Sequence, residues 1–235
     1  MFNTQHILYM VISALLTAAL LVLFRRYVKS EKQKSRILFF FAVITVVIHI
    51  SDAWVDYFTS GGTATITSVH ILPIYPCNVV MWMLLIAALI QNKKCLLFQM
   101  LGEFCFFVGV ICGVVGIACN ANFDSTPTLA DYTVLKGLLS HSTMLVGCLY
   151  MMVGSFIRVR VFNAVSVTAG LATFVLCGIA MNRLYEAHGM EAPDGMFLRS
   201  NPYFPFSPIV PGIIFIVLMF LGITLWERHK AKKKQ

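Results

Sequence analysis

Arg25-Arg26-Tyr27-Val28-Lys29-Ser30-Glu31-Lys32-Gln33-Lys34-Ser35-Arg36 is a dense basic loop lying between two apolar runs, residues 6–24 and 37–56. A helix needs about 20 apolar residues to cross the hydrocarbon core of a bilayer, and each run supplies that length. Five further stretches qualify, roughly 77–91, 95–118, 135–156, 162–182 and 208–226. The third is short unless it borrows from residues 71–76. Of the 235 residues, 59% are hydrophobic and only 12% charged, with a mean hydropathy of +0.82. The chain therefore reads as an all-α, polytopic membrane bundle of about seven helices. It forms a single transmembrane domain over 1–235 with a basic tail at 227–235.

Charge placement orients the bundle. Loop one holds six basic residues, loop three Lys93 and Lys94, loop five Arg158 and Arg160, and the tail five. Fifteen of the eighteen basic residues thus fall on one side, leaving Lys136, Arg183 and Arg199 for the other. The positive-inside rule puts the N-terminus outside and the C-terminus inside. The net charge of +8 then reads as contact with anionic lipid, and no nucleic-acid partner is expected. The first apolar run lacks a basic leader and a small-x-small exit, so it reads as span one and not a cleaved signal. The seven cysteines form no zinc spacing, and no metal or cofactor is expected.

Span four repeats Gly102, Gly109 and Gly116 at seven-residue intervals, a small-residue face suited to close helix packing. Glu103 on the same span is an acid inside the membrane, which is costly unless paired or functional. Loop six (183–207), with Pro193, Pro202 and Pro205, reads as an ordered cap or re-entrant piece over the outer face.

Polar residues converge at the outer end. Pro76 suits the first position of span three, so Cys77 lies in the first turn, at the positive end of the helix dipole. Such a position favours a nucleophilic thiolate. His141 lies in the outer third of span five, Asn182 near the end of span six, and Asp52, Asp56 and His49 near the end of span two. Each has a structural reading as well. Cys77 pairs with Cys119 in a disulfide or is an inert thiol, the histidines bond backbone carbonyls, and Asn182 ends its helix. Together they outline acyl transfer, with Cys77 as nucleophile, His141 as base and Asn182 orienting the imidazole. Backbone amides of residues 77–79 would serve the oxyanion, and Arg183 or Arg199 a lipid phosphate. An outer-face site has no access to cytosolic acyl-CoA, so donor and acceptor are a phospholipid and a lysolipid.

In these segments the chain resembles the YwaF-like family of integral membrane proteins, which includes eukaryotic glycerophospholipid acyltransferases working through an acyl-cysteine. Leu72-Pro73-Ile74-Tyr75-Pro76-Cys77-Asn78 resembles its Leu-Pro-Leu-His-Leu-Cys-Asp hallmark, and Ser140-His141 its Ser-His pair. Gly195-Met196-Phe197-Leu198-Arg199 resembles its segment before the last span, with Asn182 like its upstream asparagine. The resemblance covers about residues 70–226 and implies a phospholipid acyltransferase, expected in a bacterial plasma membrane. Tyr75 replaces the family's histidine and Asn78 its aspartate, so His70 or Asp56 would have to substitute. A competing expectation is a small-solute transporter or a substrate-binding membrane subunit without catalysis, built on a midplane pocket with His49 and Glu103.

Overall fold

The computed structural model describes residues 3–61, 72–120, 123, 126–190, 194–198 and 209–232. Seven helices follow the seven apolar stretches: α1 (Thr4–Tyr27), α2 (Glu31–Thr59), α3 (Pro76–Leu89), α4 (Leu96–Ala118), α5 (Tyr132–Val153), α6 (Asn163–Ala187) and α7 (Ile209–Lys232). No strand occurs among the described residues. Five of these helices are long and apolar enough to cross a membrane, and two shorter apolar helical stretches, Pro76–Leu89 and Ile213–Glu227, accompany them. The polytopic helix bundle read from the sequence is the fold.

The bundle wears its apolar side chains outward. On α1, Leu8, Leu15, Leu16 and Val22 are exposed, whereas its buried residues are His6, Ser13 and Thr17. Lipid tails are as apolar as leucine, so helices associate through close packing and interhelical hydrogen bonds. Ser142 on α5 donates to Leu138 O at 2.9 Å, and the hydroxyls of Tyr9 and Ser13 both reach its Oγ at 2.9 Å. His6 donates from Nε2 to Ile117 O at 2.7 Å and stacks on Phe123. These bonds fasten α1 to α5 and to the outer end of α4.

Helix α5 is the most deeply enclosed helix and packs on α1, α2 and α4. The glycine face of α4 is what lets α4 approach it. Gly109 abuts Cys148 and Val80, Gly113 abuts Leu145, and Gly102 abuts Met151 and Ile157. A β-carbon on Gly113 would stand 2.9 Å from Leu145 Cβ, tighter than normal carbon contact. Between the α-helical halves of α4, Cys105–Gly109 forms a π-helical turn.

Helix α3 is shorter than a full membrane span. Fourteen residues rise about 21 Å, against a hydrocarbon core of about 30 Å. Its inner end is pinned by Lys93, whose ammonium donates to Ala87 O at 3.0 Å and Ala88 O at 2.9 Å and lies over the Phe98 ring. Burial pushes the Lys93 ammonium below the usual lysine value. The helix alone is thus shorter than the core is thick. Residues 72–75 approach its first turn as non-helical chain, which an apolar setting tolerates where protein covers it.

Candidate thiol–imidazole site

Tyr75 is the N-cap residue of α3 and Pro76 its first helical residue, with Tyr75 in extended backbone conformation as the residue before a proline requires. The amides of Asn78 and Val79 donate to Tyr75 O at 3.0 and 3.3 Å. Two of the three amides expected to serve an oxyanion are thus used in closing the turn. Asn78 is buried, and its Nδ2 donates to Leu72 O at 3.0 Å. That bond turns Oδ1 toward Cys77, whose thiol donates to it at 3.3 Å. All seven cysteines are free, so Cys77 and Cys119 form no disulfide.

His141 is fixed from two sides. Its Nδ1–H donates to Gly137 O at 2.7 Å, one turn back on α5, which leaves Nε2 as the basic nitrogen of the neutral ring. Gly116 of α4 lies against the opposite edge, where a β-carbon would collide with Cδ2 and Nε2. A small cavity of about 10 Å³ joins the pieces, lined by Cys77 and Met81 of α3, His49 and Thr45 of α2, and Ser140, His141 and Met144 of α5. That volume is close to the least that holds one water molecule. Three helices therefore bring the cysteine and two of the histidines to one cavity.

The remaining sequence candidates lie elsewhere. Asn182 does not bond Nδ1 of His141; its Oδ1 accepts from Gly195 N at 2.7 Å. This bond holds the turn Gly195–Phe197 against α6, where Gly178 leaves room for Met196 and Leu198. Met196 N in turn donates to Ile74 O at 2.7 Å, and Phe197 stacks on Tyr75 with ring centroids 5.4 Å apart. Asn182 thus connects to Cys77 through the loop-six turn and not through the imidazole. Asp56 is exposed on α2, and Arg183 is exposed and paired with Glu186 at 3.6 Å. His70 and Arg199 lie outside the described residues, as does the side chain of Asp52.

Glu103 is fully buried and bound. Arg160 donates to its Oε1 from Nη2 at 2.9 Å and from Nε at 3.2 Å, and Ser166 donates to Oε2 at 2.5 Å. The carboxylate ties α4 to the start of α6, separate from the His49 cavity. Lys136 entered the sequence reading only as one of the three basic residues of the outer side, with no part in the site. Its side chain is buried, Nζ donates to His49 O at 3.4 Å, and its charge lies within electrostatic reach of Cys77 and His141. The signal was a lysine inside an apolar segment, five residues before His141, where an isolated charge marks function by default.

No curated protein and no solved structure matches the chain. A family model does match, over residues 1–233, and on that match the chain, an integral membrane protein by its helices, belongs to the TMEM164 family.

Proposed function

We propose that the protein is a glycerophospholipid acyltransferase that moves a fatty acyl group between lipids through a thioester on Cys77. The observation that carries this reading is the shared cavity of Cys77, His141 and His49. His141 takes the thiol proton at Nε2, and the sulfur attacks the ester carbonyl of a donor phospholipid. The ester C–O bond breaks, the lysolipid oxygen leaves with the proton returned by His141, and the acyl group rests on sulfur. In the second half Nε2 takes the hydroxyl proton of the acceptor lysolipid. Its oxygen attacks the thioester, and Cys77 recovers its proton as thiol. Lys136 supplies positive charge near the oxyanion formed in each half, an effect that is strong where water is excluded.

The site's apolar surroundings support a lipid substrate. Cys77 opens an apolar helix inside the bundle and lines a cavity close to the least size that holds one water molecule, surroundings that favour a membrane-borne ester over a water-soluble thioester. Intact-protein mass spectrometry after incubation with phospholipid vesicles tests the reading. The expected result is an acyl-sized mass increase that hydroxylamine removes and that Cys77→Ala lacks. An active preparation that exchanges lipid acyl groups equally well as Cys77→Ala would sink it.

A further inference from the structure

A second cavity, of about 360 Å³, runs between α6 and α7 apart from the thiol–imidazole pair. Leu171 and Val175 of α6 share it with Ile213 and Ile216 of α7, and the Met196–Leu198 turn and Pro76 line it as well. The turn marks its outer end, since it packs on α6 at Gly178. Thr168 is its innermost lining residue on α6, and the Thr168 hydroxyl donates to Ala164 O at 2.8 Å, so this polar group is satisfied within its own helix. The remaining lining side chains are apolar.

The groove's shape restricts what it can hold. From Thr168 to the level of Gly178 is about 15 Å of helix. Over that length the lining offers one polar side-chain group, already satisfied within its own helix, so a polar occupant would go unpaired there. Beside the groove, Leu176 and Ile179 on α6 and Ile214, Val217 and Leu218 on α7 are exposed apolar residues. The groove therefore continues into the lipid-facing surface, and an occupant from the bilayer can slide in sideways. At its outer end Pro76 lines the groove while Cys77 lines the small cavity. The first turn of α3 is the partition between them.

We propose that this groove binds one acyl chain of a membrane phospholipid along the bilayer normal, its ester end at Pro76 beside Cys77 and its chain directed toward Thr168. The assignment of that chain as the donor's rests on the acyl-transfer reading above; the binding site does not. Ala172 is the smallest lining side chain and sits between the two ends, so its size sets how much chain fits.

The test uses the full-length Cys77→Ala protein in vesicles containing phosphatidylcholine with a diazirine at the end of one acyl chain. After illumination, peptide mapping locates the adducts. Enrichment in 168–175 and 213–216 over the exposed α1 face at Leu8–Leu16 is expected, with at least a fivefold loss in Ala172→Phe. Adducts spread evenly over the lipid-facing helices, or unchanged by Ala172→Phe in a protein of normal thermal stability, overturn the proposal. So does preferential labelling of the same segments by a diazirine sterol. Thioester formation in the wild type separates the two readings. Enrichment without a thioester keeps the groove and removes acyl transfer, and a thioester without enrichment does the reverse.

Discussion

Gly116 on α4 sits directly against the Nε2 edge of His141 on α5, leaving no room for a β-carbon. The third glycine of the seven-residue repeat therefore shapes the candidate base as well as the helix packing. Gly116→Ala is expected to push the imidazole away from the Cys77 cavity, because the Gly137 bond at Nδ1 permits only a small swing. Overpacking of this kind costs about 1–3 kcal/mol, which a bundle of this size survives. Cys77 thioester formation is expected to fall at least tenfold while the protein remains monodisperse in detergent. Gly109→Ala, which meets Cys148 and Val80 instead, is the control for packing alone. Equal thioester rates in Gly116→Ala and wild type would show that the ring's position is unimportant.

The Glu103–Arg160 pair predicts an asymmetry. Glu103 has no exposed side-chain surface, whereas that of Arg160 is 46% exposed. Arg160→Ala strands a carboxylate in the membrane interior with Ser166 as its remaining partner, a loss of the kind that costs about 3–5 kcal/mol. Glu103→Gln leaves a guanidinium that can turn to the inner surface, and keeps an acceptor for Ser166. Thermal unfolding in detergent should thus drop much further for Arg160→Ala than for Glu103→Gln. The reverse order would mean that the carboxylate reaches water by a route the packing does not provide.

Much of this was legible before any coordinates. The seven spans follow from hydropathy because a bilayer demands a fixed apolar length. The glycine repeat on α4 and the outer-end grouping of Cys77, His141 and His49 follow from helical spacing and topology. What the sequence hid are partnerships set by tertiary contact. Glu103 and Arg160 are 57 positions apart, and the gap carries no periodic signal. Asn182 looks like an imidazole partner until the loop-six turn is seen to use its Oδ1. Lys136, counted only toward orientation, is buried because α5 packs closely on its neighbours. The π-helical turn at Cys105–Gly109 has no mark in residue type.

Asp131 caps α5, the helix that carries His141, by accepting from Val134 N at 3.0 Å. That bond to the charged carboxylate holds its pKa below the ordinary aspartate value. A depressed folded-state pKa stabilises the fold fully above the ordinary carboxylate value, and the contribution disappears as pH falls through the depressed one. Asp131→Ala should lower Tm near neutral pH, and the gap from wild type should narrow in acid. Asp131→Asn keeps an acceptor without the charge, so it should fall between wild type and Asp131→Ala near neutral pH and approach wild type in acid. A gap that widens as pH falls would contradict the capping role.

Asn182 gives the sharpest contrast between the sequence-derived role and the observed one. As an orienter of His141 it would alter the pH dependence of acylation when removed. As the acceptor for Gly195 N it holds the turn that bonds Ile74 and stacks on Tyr75, next to Cys77. Asn182→Ala is expected to raise amide hydrogen exchange across 194–198 at least tenfold and to speed alkylation of Cys77 by a membrane-permeant maleimide. Asn182→Asp retains an acceptor and should leave both near wild type. Gly178→Ala displaces the same turn by another route, since its β-carbon would stand 2.7 Å from Gly195 O and from Leu198 Cδ1. It should reproduce the exchange and alkylation changes with Asn182 intact. If Asn182→Ala instead shifts the pH profile of acylation and leaves exchange at 194–198 unchanged, the asparagine acts on the imidazole and the loop-six turn is held by something else.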